Sequence, residues 1–444
     1  MIQRITPFDR HYFFGFHDLI ISNYDDSKVL SLAINSINRP PVPKETADIG
    51  YIDMNTLNFR KVGETNAFNY PQGARQQWIA ESDCFTVNNQ VGDDWGAEIY
   101  DASLDRRVDV FDTTIHCLSK DGCYGFGIDY SRLHRLGGYG YIGLPDKCAD
   151  DNAPEQQGIW KLNLKTKEKN LIVSINQVAL QDSKVRDIRK YPHYITHLVL
   201  NPANDRIAFL HRYFLPDGGY MTRLMTVGVN GDNLRCLCSG FLSHFYWKDD
   251  NHIYIWGRVG REIDSIRNNG IFAHPLVAPL LQPLKSLIRP LIRKTTTSLS
   301  TTFLMILDDD TSDIRPFAEN LIISDGHPMT SPVDKDICVN DTYPDKDKCR
   351  DLMLYRFSSN TRIDLGRFRM SDEQPVSTMS ERYTEGLDSG ILKKITERQF
   401  SFTRSGLHCD LHPRWMRNGK QIVIDSIHEG KRQMYLVDVT ENIR

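Results

Sequence analysis

Short stretches in which apolar and polar residues alternate recur along this chain, and each is followed by a polar turn. In five of them a histidine precedes a turn of the Ser-Lys-Asp-Gly type, and a further apolar stretch follows that turn. These histidines are His116, His197, His244, His327 and His412. Alternation with a period of two indicates half-buried antiparallel strands. Strand–turn–strand units that repeat every ~40–50 residues are typical of a β-propeller, in which each unit is one blade.

Seven such units predict an all-β chain in which residues 1–444 form one seven-bladed β-propeller domain. The last unit ends soon after its third strand, and an incomplete last blade would leave strand edges exposed. We expect the N-terminal sequence IQRIT to supply the missing outer strand. That pairing would close the ring and bring the two termini together.

A long segment, residues 261–300, interrupts the fifth unit and is predicted to be a helical insertion. Within it, basic residues recur every four positions opposite an apolar face, and two prolines break the pattern. Two interpretations stay open. Residues 271–294 contact an anionic membrane surface, or they form a lid that packs its apolar face on the propeller.

Composition narrows the range of partners and compartments. A net charge of -3 and 40% hydrophobic residues are ordinary for a soluble globular protein. A nucleic-acid-binding face needs an excess of basic residues, so nucleic acid is excluded as a partner. The nine cysteines show no paired spacing, and we find neither an N-terminal signal sequence nor a long apolar run. We therefore expect a cytoplasmic protein, with peripheral attachment to the inner membrane through residues 271–294 as the alternative.

The repeated histidines are candidate metal ligands, because the first strand of every propeller blade lines the central channel and imidazole binds metals near neutral pH. His244, His327 and His412 come from consecutive blades, and Asp410 is expected on the same strand face as His412. We predict that these four residues bind a divalent metal, Mn or Zn. The alternative is that the histidines only hold adjacent blades together by hydrogen bonds.

Other polar segments are predicted to bind substrate. Arginine offers paired donors to a carboxylate or phosphate, and aromatic rings can stack on sugars. The predicted substrate-binding residues are Arg75, Gln76, Arg132, His134, Arg135, Tyr139 and Tyr141. For each of them, a role in blade packing stays the alternative.

The final segment, HCDLHPRWMRNGKQIVIDSIHEGKRQMYLVDV, resembles the last blade of the oligogalacturonate lyase family and the wider TolB-type propeller repeat. The resemblance continues through DGHPMTSPVDKDICVNDTYP, SHFYWKDDNHIYIWGR and THLVLNPANDRIAFLHR, and so covers roughly four blades. The motifs FFGFHD, GARQQW, SRLHRLGGYGYIG and DLHPRW together look like those of propeller proteins encoded in bacterial surface-polysaccharide gene clusters.

The resemblance implies a metal that binds the carboxylate of a uronate sugar while a base removes the C5 proton. It implies ligand roles for His244 and His412, with His327 in the blade between them. The family's His-Pro-His motif reads Asp410-Leu411-His412 here, so a carboxylate replaces one imidazole. The family's glutamine ligand has no clear counterpart.

These features lead to the hypothesis of a metal-assisted lyase that acts on an anionic, uronate-containing oligosaccharide or polysaccharide. His197 or His211 would be the base, and Tyr343 would donate a proton. Arg212 or Arg132 would neutralise the carboxylate together with the metal. Two other classes stay open. One is a transferase-type enzyme of surface-polysaccharide biosynthesis at the membrane, and the other is a non-catalytic glycan-binding scaffold.

Overall fold

Antiparallel strands dominate the structure, a computed structural model that describes residues 1–183, 185, 187–214, 220–259, 301–311, 313–373, 385–389 and 405–444. Within these ranges the strands form six sheets, and helices are few and short. The chain is therefore mostly β, as predicted. The predicted insertion at 261–300, including the membrane-contact segment 271–294, lies outside the described residues. None of the described helices is both long and apolar enough to cross a membrane.

The chain divides into two compact units. The first unit comprises residues 1–149, 159–171 and 326–444, and the second comprises residues 150–158 and 172–325. The single domain and the count of seven blades stay predictions.

The N-terminal part of the chain contributes one separate strand and three four-stranded sheets, formed in chain order by β2–β5, β6–β9 and β10–β13. The strands are β1 (Ile2–Arg4), β2 (His11–Phe13), β3 (Lys28–Ile34), β4 (Ala47–Asp53), β5 (Asn58–Thr65), β6 (Gln77–Trp78), β7 (Cys84–Val91), β8 (Asp94–Asp101), β9 (Arg106–Phe111), β10 (Cys117–Leu118), β11 (Tyr124–Gly127), β12 (Gly158–Asn163) and β13 (Lys169–Ser174). The middle strands of these sheets carry apolar runs because both of their faces are covered. In β3, for example, only the first residue is not fully buried.

Helix α1 (Tyr130–Gly137) follows β11 and is capped at both ends. The Asp129 side chain accepts a hydrogen bond from the backbone N–H of Arg132, and Gly138 ends the helix with φ 77°. These caps fix the position of the helix that carries three predicted substrate-binding residues.

The second unit contains a seven-stranded sheet in chain order. Its strands are β14 (His193–Leu200), β15 (Arg206–Phe214), β16 (Tyr220–Gly228), β17 (Arg235–Trp247), β18 (His252–Val259), β19 (Thr302–Leu307) and β20 (Ile314–Phe317), preceded by α2 (Ile175–Leu180) and a 3-10 turn at Ile188–Lys190. The long strand β17 pairs with β16 through its first half and with β18 through its second. A bulge between Leu242 and Phe245 interrupts the second pairing at His244.

The C-terminal part returns to the first unit and forms two four-stranded sheets. Their strands are β21 (Met329–Thr330), β22 (Ile337–Asp341), β23 (Cys349–Arg356), β24 (Thr361–Arg369), β25 (Arg414–Trp415), β26 (Gln421–Ser426) and β27 (Gln433–Asp438). β1 completes the last sheet, with Ile2 opposite Val437 on β27. The predicted pairing of the N-terminal strand is therefore present, whereas the closure of a ring stays a prediction.

The same backbone hydrogen bond closes the turn that follows β6, β14 and β25, and it defines a common register for these three strands. The N–H groups of Ile79, Asn201 and Met416 each donate to the carbonyl five residues later. The residue four positions before these donors adopts a left-handed backbone in each case: Arg75 at φ 53°, His197 at φ 59° and His412 at φ 42°.

The same register includes His244 and His327 but not His116. Lys248 and Ser331 close the corresponding turns four residues after these two histidines. Ser119 closes its turn only three residues after His116, so His116 lies one residue out of phase. Four of the five histidines thus share the repeated position that the sequence pattern indicated, and Arg75 is its fifth occupant.

A tryptophan three residues after the repeated position connects its strand to an earlier segment of the chain by a hydrogen bond. The buried indoles of Trp78, Trp247 and Trp415 donate to the carbonyls of Ile21, Val199 and Met329, at 3.1, 2.9 and 3.0 Å. Because indole is only a donor, each carbonyl supplies the one polar partner that a buried tryptophan needs.

Candidate metal centre

Three of the four predicted metal ligands lie together in the first unit. The ligand atoms of His327, Asp410 and His412 are all within 4.8 Å of one another. His412 Nε2 is 3.9 Å from Asp410 Oδ2, and the two imidazole rings are perpendicular with centroids 4.3 Å apart. Both histidines are 1% exposed, and Asp410 is 8% exposed. The fourth predicted ligand, His244, belongs to the second unit.

The ligands lie where strands begin rather than within them. His327 comes two residues before β21, and Asp410 and His412 precede β25. Neither Asp410 nor His412 lies in a strand, so the prediction that they share a strand face was wrong. His412 is in the left-handed region at φ 42°. A non-glycine residue in that region costs on the order of 1–3 kcal/mol, so the surrounding structure must hold it there.

The carboxylate of Asp341, at the end of β22, holds His327 and His412 in place by hydrogen bonds. Its Oδ1 accepts from the backbone N–H and from ring Nδ1 of His327, at 2.7 and 2.8 Å. Its Oδ2 accepts from the backbone N–H groups of Leu411 and His412, at 3.1 and 3.3 Å. Histidines that bind a metal usually donate their other ring N–H to such a carboxylate. With Nδ1–H donated to Asp341, the lone pair of the neutral His327 ring lies on Nε2.

Asp410 is kept ionised by its neighbours. Arg350 NH2 lies 2.7 Å and His408 Nε2 lies 3.5 Å from Asp410 Oδ1. Burial raises the pKa of Asp410, but the charges of Arg350 and His408 outweigh burial and hold it well below its ordinary value. Arg350 is itself fixed by a 3.1 Å hydrogen bond to the carbonyl of Thr342. A charged carboxylate oxygen is thus directed toward His412.

His412 has the protonation state that a metal ligand needs. Burial lowers its pKa well below the ordinary value, and the neighbouring His327 lowers it further, so the imidazole is neutral. Its Nδ1 is buried and has no hydrogen-bond partner among the described residues. Two imidazoles, one of them with an orphaned ring nitrogen, and one carboxylate fit a metal such as Mn or Zn.

Two aromatic residues of the N-terminal segment line this centre and were missed as site residues from the sequence. The ring of His17 is 5.5 Å from that of His327 and 6.2 Å from that of His412, measured between centroids. Phe16 packs against His17 and His412 at 4.4 and 5.1 Å. The motif FFGFHD contains both residues, but neither has the repeated register before a turn, so no signal marked them as site residues.

Tyr343, a predicted catalytic residue, lies beside the same centre. Its half-buried ring is 5.6 Å from the ring of His327, and the Arg350 guanidinium lies 5.7 Å from its centroid. The structure therefore brings Tyr343 together with the candidate ligands.

Arg75 and Gln76, predicted to bind substrate, make internal contacts. Arg75 forms a two-pronged ion pair with Asp18 at 2.7 and 3.0 Å and also donates to the carbonyl of His116. Gln76 donates to the carbonyl of Phe14 at 2.7 Å. Both side chains are buried and join neighbouring segments of the first unit.

The predicted substrate-binding residues of α1 are similarly engaged. Arg132 and Arg135 share the carboxylate of Asp146, at 3.3 and 2.8 Å. His134 Nε2 lies 2.8 Å from the carbonyl of Glu385. These bonds place the three side chains in the packing of the first unit.

The two tyrosines that follow α1 are buried as well. Tyr141 stacks on Tyr130 with centroids 4.1 Å apart and receives a hydrogen bond from Asn88 at 3.0 Å. Tyr139 is 3% exposed, and its carbonyl accepts a 2.8 Å hydrogen bond from Asn69. Neither ring presents an open face on which a sugar could stack.

In the second unit, the candidate base His211 has both ring nitrogens engaged. Arg223 Nε donates to its Nδ1 at 3.0 Å, and its Nε2 is 3.0 Å from His193 Nδ1. Burial, followed by the charge of Arg223, lowers the pKa of His211 well below its ordinary value. With no lone pair left for a substrate proton, His211 is a packing residue in this geometry. The adjacent Arg212 is buried on β15.

The other two predicted residues of the second unit contact neighbouring hydroxyl or carboxyl groups. His197 Nδ1 is 2.9 Å from the hydroxyl of Thr196. His244 Nδ1 is 3.1 Å from Asp325 Oδ1 and 3.1 Å from the hydroxyl of Ser243. A carboxylate partner on Nδ1 leaves Nε2 as the acceptor nitrogen of His244.

Comparison with known proteins gives similarity at the level of fold. No family model matches the chain, and no curated protein matches it. An oligogalacturonate lyase solved in complex with manganese aligns with a TM-score of 0.59 and 16% identity, covering 100% of this chain and 94% of that chain. Oligogalacturonate lyase from Vibrio parahaemolyticus aligns with a TM-score of 0.57 and 12% identity over the same shares. TolB from Acinetobacter baumannii gives only 0.35 at 11% identity, over 76% of this chain and 63% of that chain.

The fold of this chain is therefore similar to that of these two oligogalacturonate lyases. Similarity at these identities establishes the fold and leaves the activity to be argued from the site.

Proposed function

We propose that the protein is a metal-assisted lyase that cleaves a uronate-containing oligosaccharide by β-elimination. The observation that carries this proposal is the cluster of His327, Asp410 and His412, oriented by Asp341. The fold resembles that of a lyase solved with manganese, which supports the choice of chemistry. The substrate class follows from the charge of the site.

That charge favours an anionic ligand. With a divalent cation bound, the positive charges of the metal and Arg350 would exceed the negative charges of Asp410 and Asp341. A bound metal would supply Lewis-acid stabilisation to the uronate carboxylate and so acidify the C5 proton. Arg350, buried against Asp410, adds a second positive charge to the site.

The remaining steps need a base and a proton donor. In β-elimination the base removes the C5 proton, a C4–C5 double bond forms, and the C4–O bond breaks, leaving an oxygen that takes up a proton. Tyr343, next to His327 and Arg350, is the proposed proton donor. His197 stays the proposed base, because both ring nitrogens of His211 are engaged. Arg212 stays a proposed carboxylate partner.

A non-catalytic glycan-binding scaffold is the second candidate, and the burial of the histidines favours it. His327 and His412 pack edge to face with their rings almost covered, as residues that only stabilise a fold do. The transferase alternative with its membrane contact depends on residues 271–294 and stays a proposal without structural support.

An ultraviolet assay of the new double bond separates the two candidates. Purified protein loaded with Mn²⁺ is incubated with a panel of uronate oligosaccharides, and absorbance of the unsaturated product is followed. We expect a rise that stops with chelator and is absent in His412→Ala, while His252→Ala, changed at a half-exposed histidine on another strand, keeps the wild-type rate. Glycan binding without any rise would favour the scaffold.

A further inference from the structure

The backbone that carries His17 is fixed by side chains from several other segments. The carbonyl of Phe14 accepts from Gln76 at 2.7 Å, and the carbonyl of Gly15 accepts from Arg414 at 2.8 Å. The next residue after His17, Asp18, forms the buried ion pair with Arg75. A segment held at three successive points leaves His17 little freedom.

Gly15 allows this segment to lie directly on a neighbouring backbone. Its φ is 124°, and a Cβ at this position would come within 2.4 Å of the backbone nitrogen of Gly73. Only glycine fits both the conformation and the close approach. The result is that His17, 0% exposed, is placed against the two imidazoles of the candidate metal centre.

We infer that His17 is a fourth protein ligand, so that the metal centre consists of His17, His327, His412 and Asp410. This inference rests on the proposed function, because it assumes that the centre binds a metal. A metal–nitrogen distance of ~2.1 Å places the centroids of two imidazoles on one ion roughly 4.5–5.5 Å apart. The observed centroid distances are 4.3 Å for His327–His412, 5.5 Å for His17–His327 and 6.2 Å for His17–His412. Two of these distances lie at or near the ends of that range, and the His17–His412 distance exceeds it by under ~1 Å.

Three imidazoles and a carboxylate have a consequence for the metal. Four protein ligands complete a tetrahedral zinc site and leave it no position for substrate. A metal that takes six ligands, such as Mn²⁺, keeps two positions open for the carboxylate of a sugar. The inferred set therefore favours Mn²⁺ over Zn²⁺ as the ion of the active protein.

Counting imidazoles on the bound metal tests the inference without relying on activity. X-ray absorption of the full-length protein loaded with Mn²⁺ is expected to show three imidazole ligands in the wild type and two in His17→Phe. Phe keeps an aromatic ring at this position but cannot coordinate. Calorimetric titration should show that His17→Phe and His17→Gln bind Mn²⁺ more weakly by over ~100-fold, beyond the loss typical of outer-shell partners.

A matched control and two further variants keep the outcomes separate. Phe16→Leu alters packing beside the same rings without removing a nitrogen, and it should change Mn²⁺ affinity by less than about tenfold. Two imidazoles in the wild type, or wild-type affinity in His17→Phe, would overturn the inference. If His327→Ala and His412→Ala also bind Mn²⁺ like the wild type, the proposed function fails as well. If only those two lose the metal, the proposed function survives and His17 is a packing residue.

Discussion

Asp341 holds His327 by two hydrogen bonds, one from ring Nδ1 and one from the backbone N–H of the histidine. The other oxygen of the same carboxylate receives the backbone N–H groups of Leu411 and His412. A single buried side chain therefore orients two candidate ligands that precede strands of different sheets. It also accepts a hydrogen bond from the left-handed backbone of His412 and so helps to offset the strain there.

Replacing Asp341 by Asn should weaken metal binding. The amide must turn its NH2 group toward one pair of N–H donors, so either His327 or the backbone at residues 411–412 loses its acceptor. We expect Mn²⁺ affinity to fall by about 10–100-fold, as for other partners of metal-bound histidines. Calorimetric titration of the folded variant measures this. The control is Asp53→Asn, changed at a turn whose carboxylate also accepts two backbone N–H groups. Unchanged affinity in Asp341→Asn would show that the carboxylate has no role in orienting the ligands.

Replacing Asp410 by Asn should destabilise the apoprotein, because Arg350 is 1% exposed and loses its charge partner. Removing one member of a buried ion pair costs about 3–5 kcal/mol in the free energy of unfolding. Adding Arg350→Met should recover much of that loss but not metal binding. Urea unfolding in the presence of chelator measures the first effect, and Mn²⁺ titration measures the second. Equal stability of wild type and Asp410→Asn would refute the buried pairing.

Arg75 should contribute to stability rather than to sugar binding. Its ion pair with Asp18 is buried on both sides, so Arg75→Met leaves an uncompensated carboxylate and should lower the free energy of unfolding by about 3–5 kcal/mol. The double variant Arg75→Met with Asp18→Leu should be more stable than Arg75→Met alone. Sugar affinity, measured on folded protein saturated with Mn²⁺, should stay at the wild-type level, and a selective loss of affinity would restore the role first predicted for Arg75.

Stability should fall as the pH drops below 6.5, in part through His211. Burial and the charge of Arg223 depress its pKa from the ordinary 6.5 in the folded state. Below pH 6.5 the unfolded chain therefore binds more protons than the folded one, and the free energy of unfolding decreases with falling pH. His211→Gln should flatten this slope between neutral pH and about pH 5. Urea unfolding across that range tests it, and an unchanged slope would contradict the depressed pKa.

The sequence predicts the strand framework well, because alternation reports directly which side chains a strand buries. The place of His197, His244, His327 and His412 follows from counting residues before a turn, and the structure keeps that count. His116 departs from it by one residue, since its turn begins earlier relative to the histidine. A count of this kind depends on the hydrogen bond that closes the turn, which the letters alone do not show.

The rest of the centre depends on partners that are distant in sequence. Asp341 lies 71 residues from His412, and nothing in ICVND marks its carboxylate as the acceptor for another sheet. His17 lies at the centre on a segment that does not follow the repeated register of the histidines. Local sequence patterns predict burial and turns, whereas these contacts form only when separate sheets pack together.

The predicted arginine ligands illustrate the same limit. Arg75, Arg132 and Arg135 have the side chain that a sugar carboxylate requires, but each is paired with an aspartate of the protein, Asp18 or Asp146. Residue type indicates what a guanidinium can bind. Only the fold determines whether that partner is internal or a ligand.

Metal stoichiometry of the purified chain tests the central claim most directly. Full-length protein is stripped with chelator, titrated with Mn²⁺ and measured by calorimetry, alongside His327→Ala, His412→Ala and the control His252→Ala. We predict one tightly bound ion per chain in the wild type and in the control, and none in the other two variants. A wild-type protein that binds no Mn²⁺, or variants at His327 and His412 that bind it equally well, would contradict the metal centre.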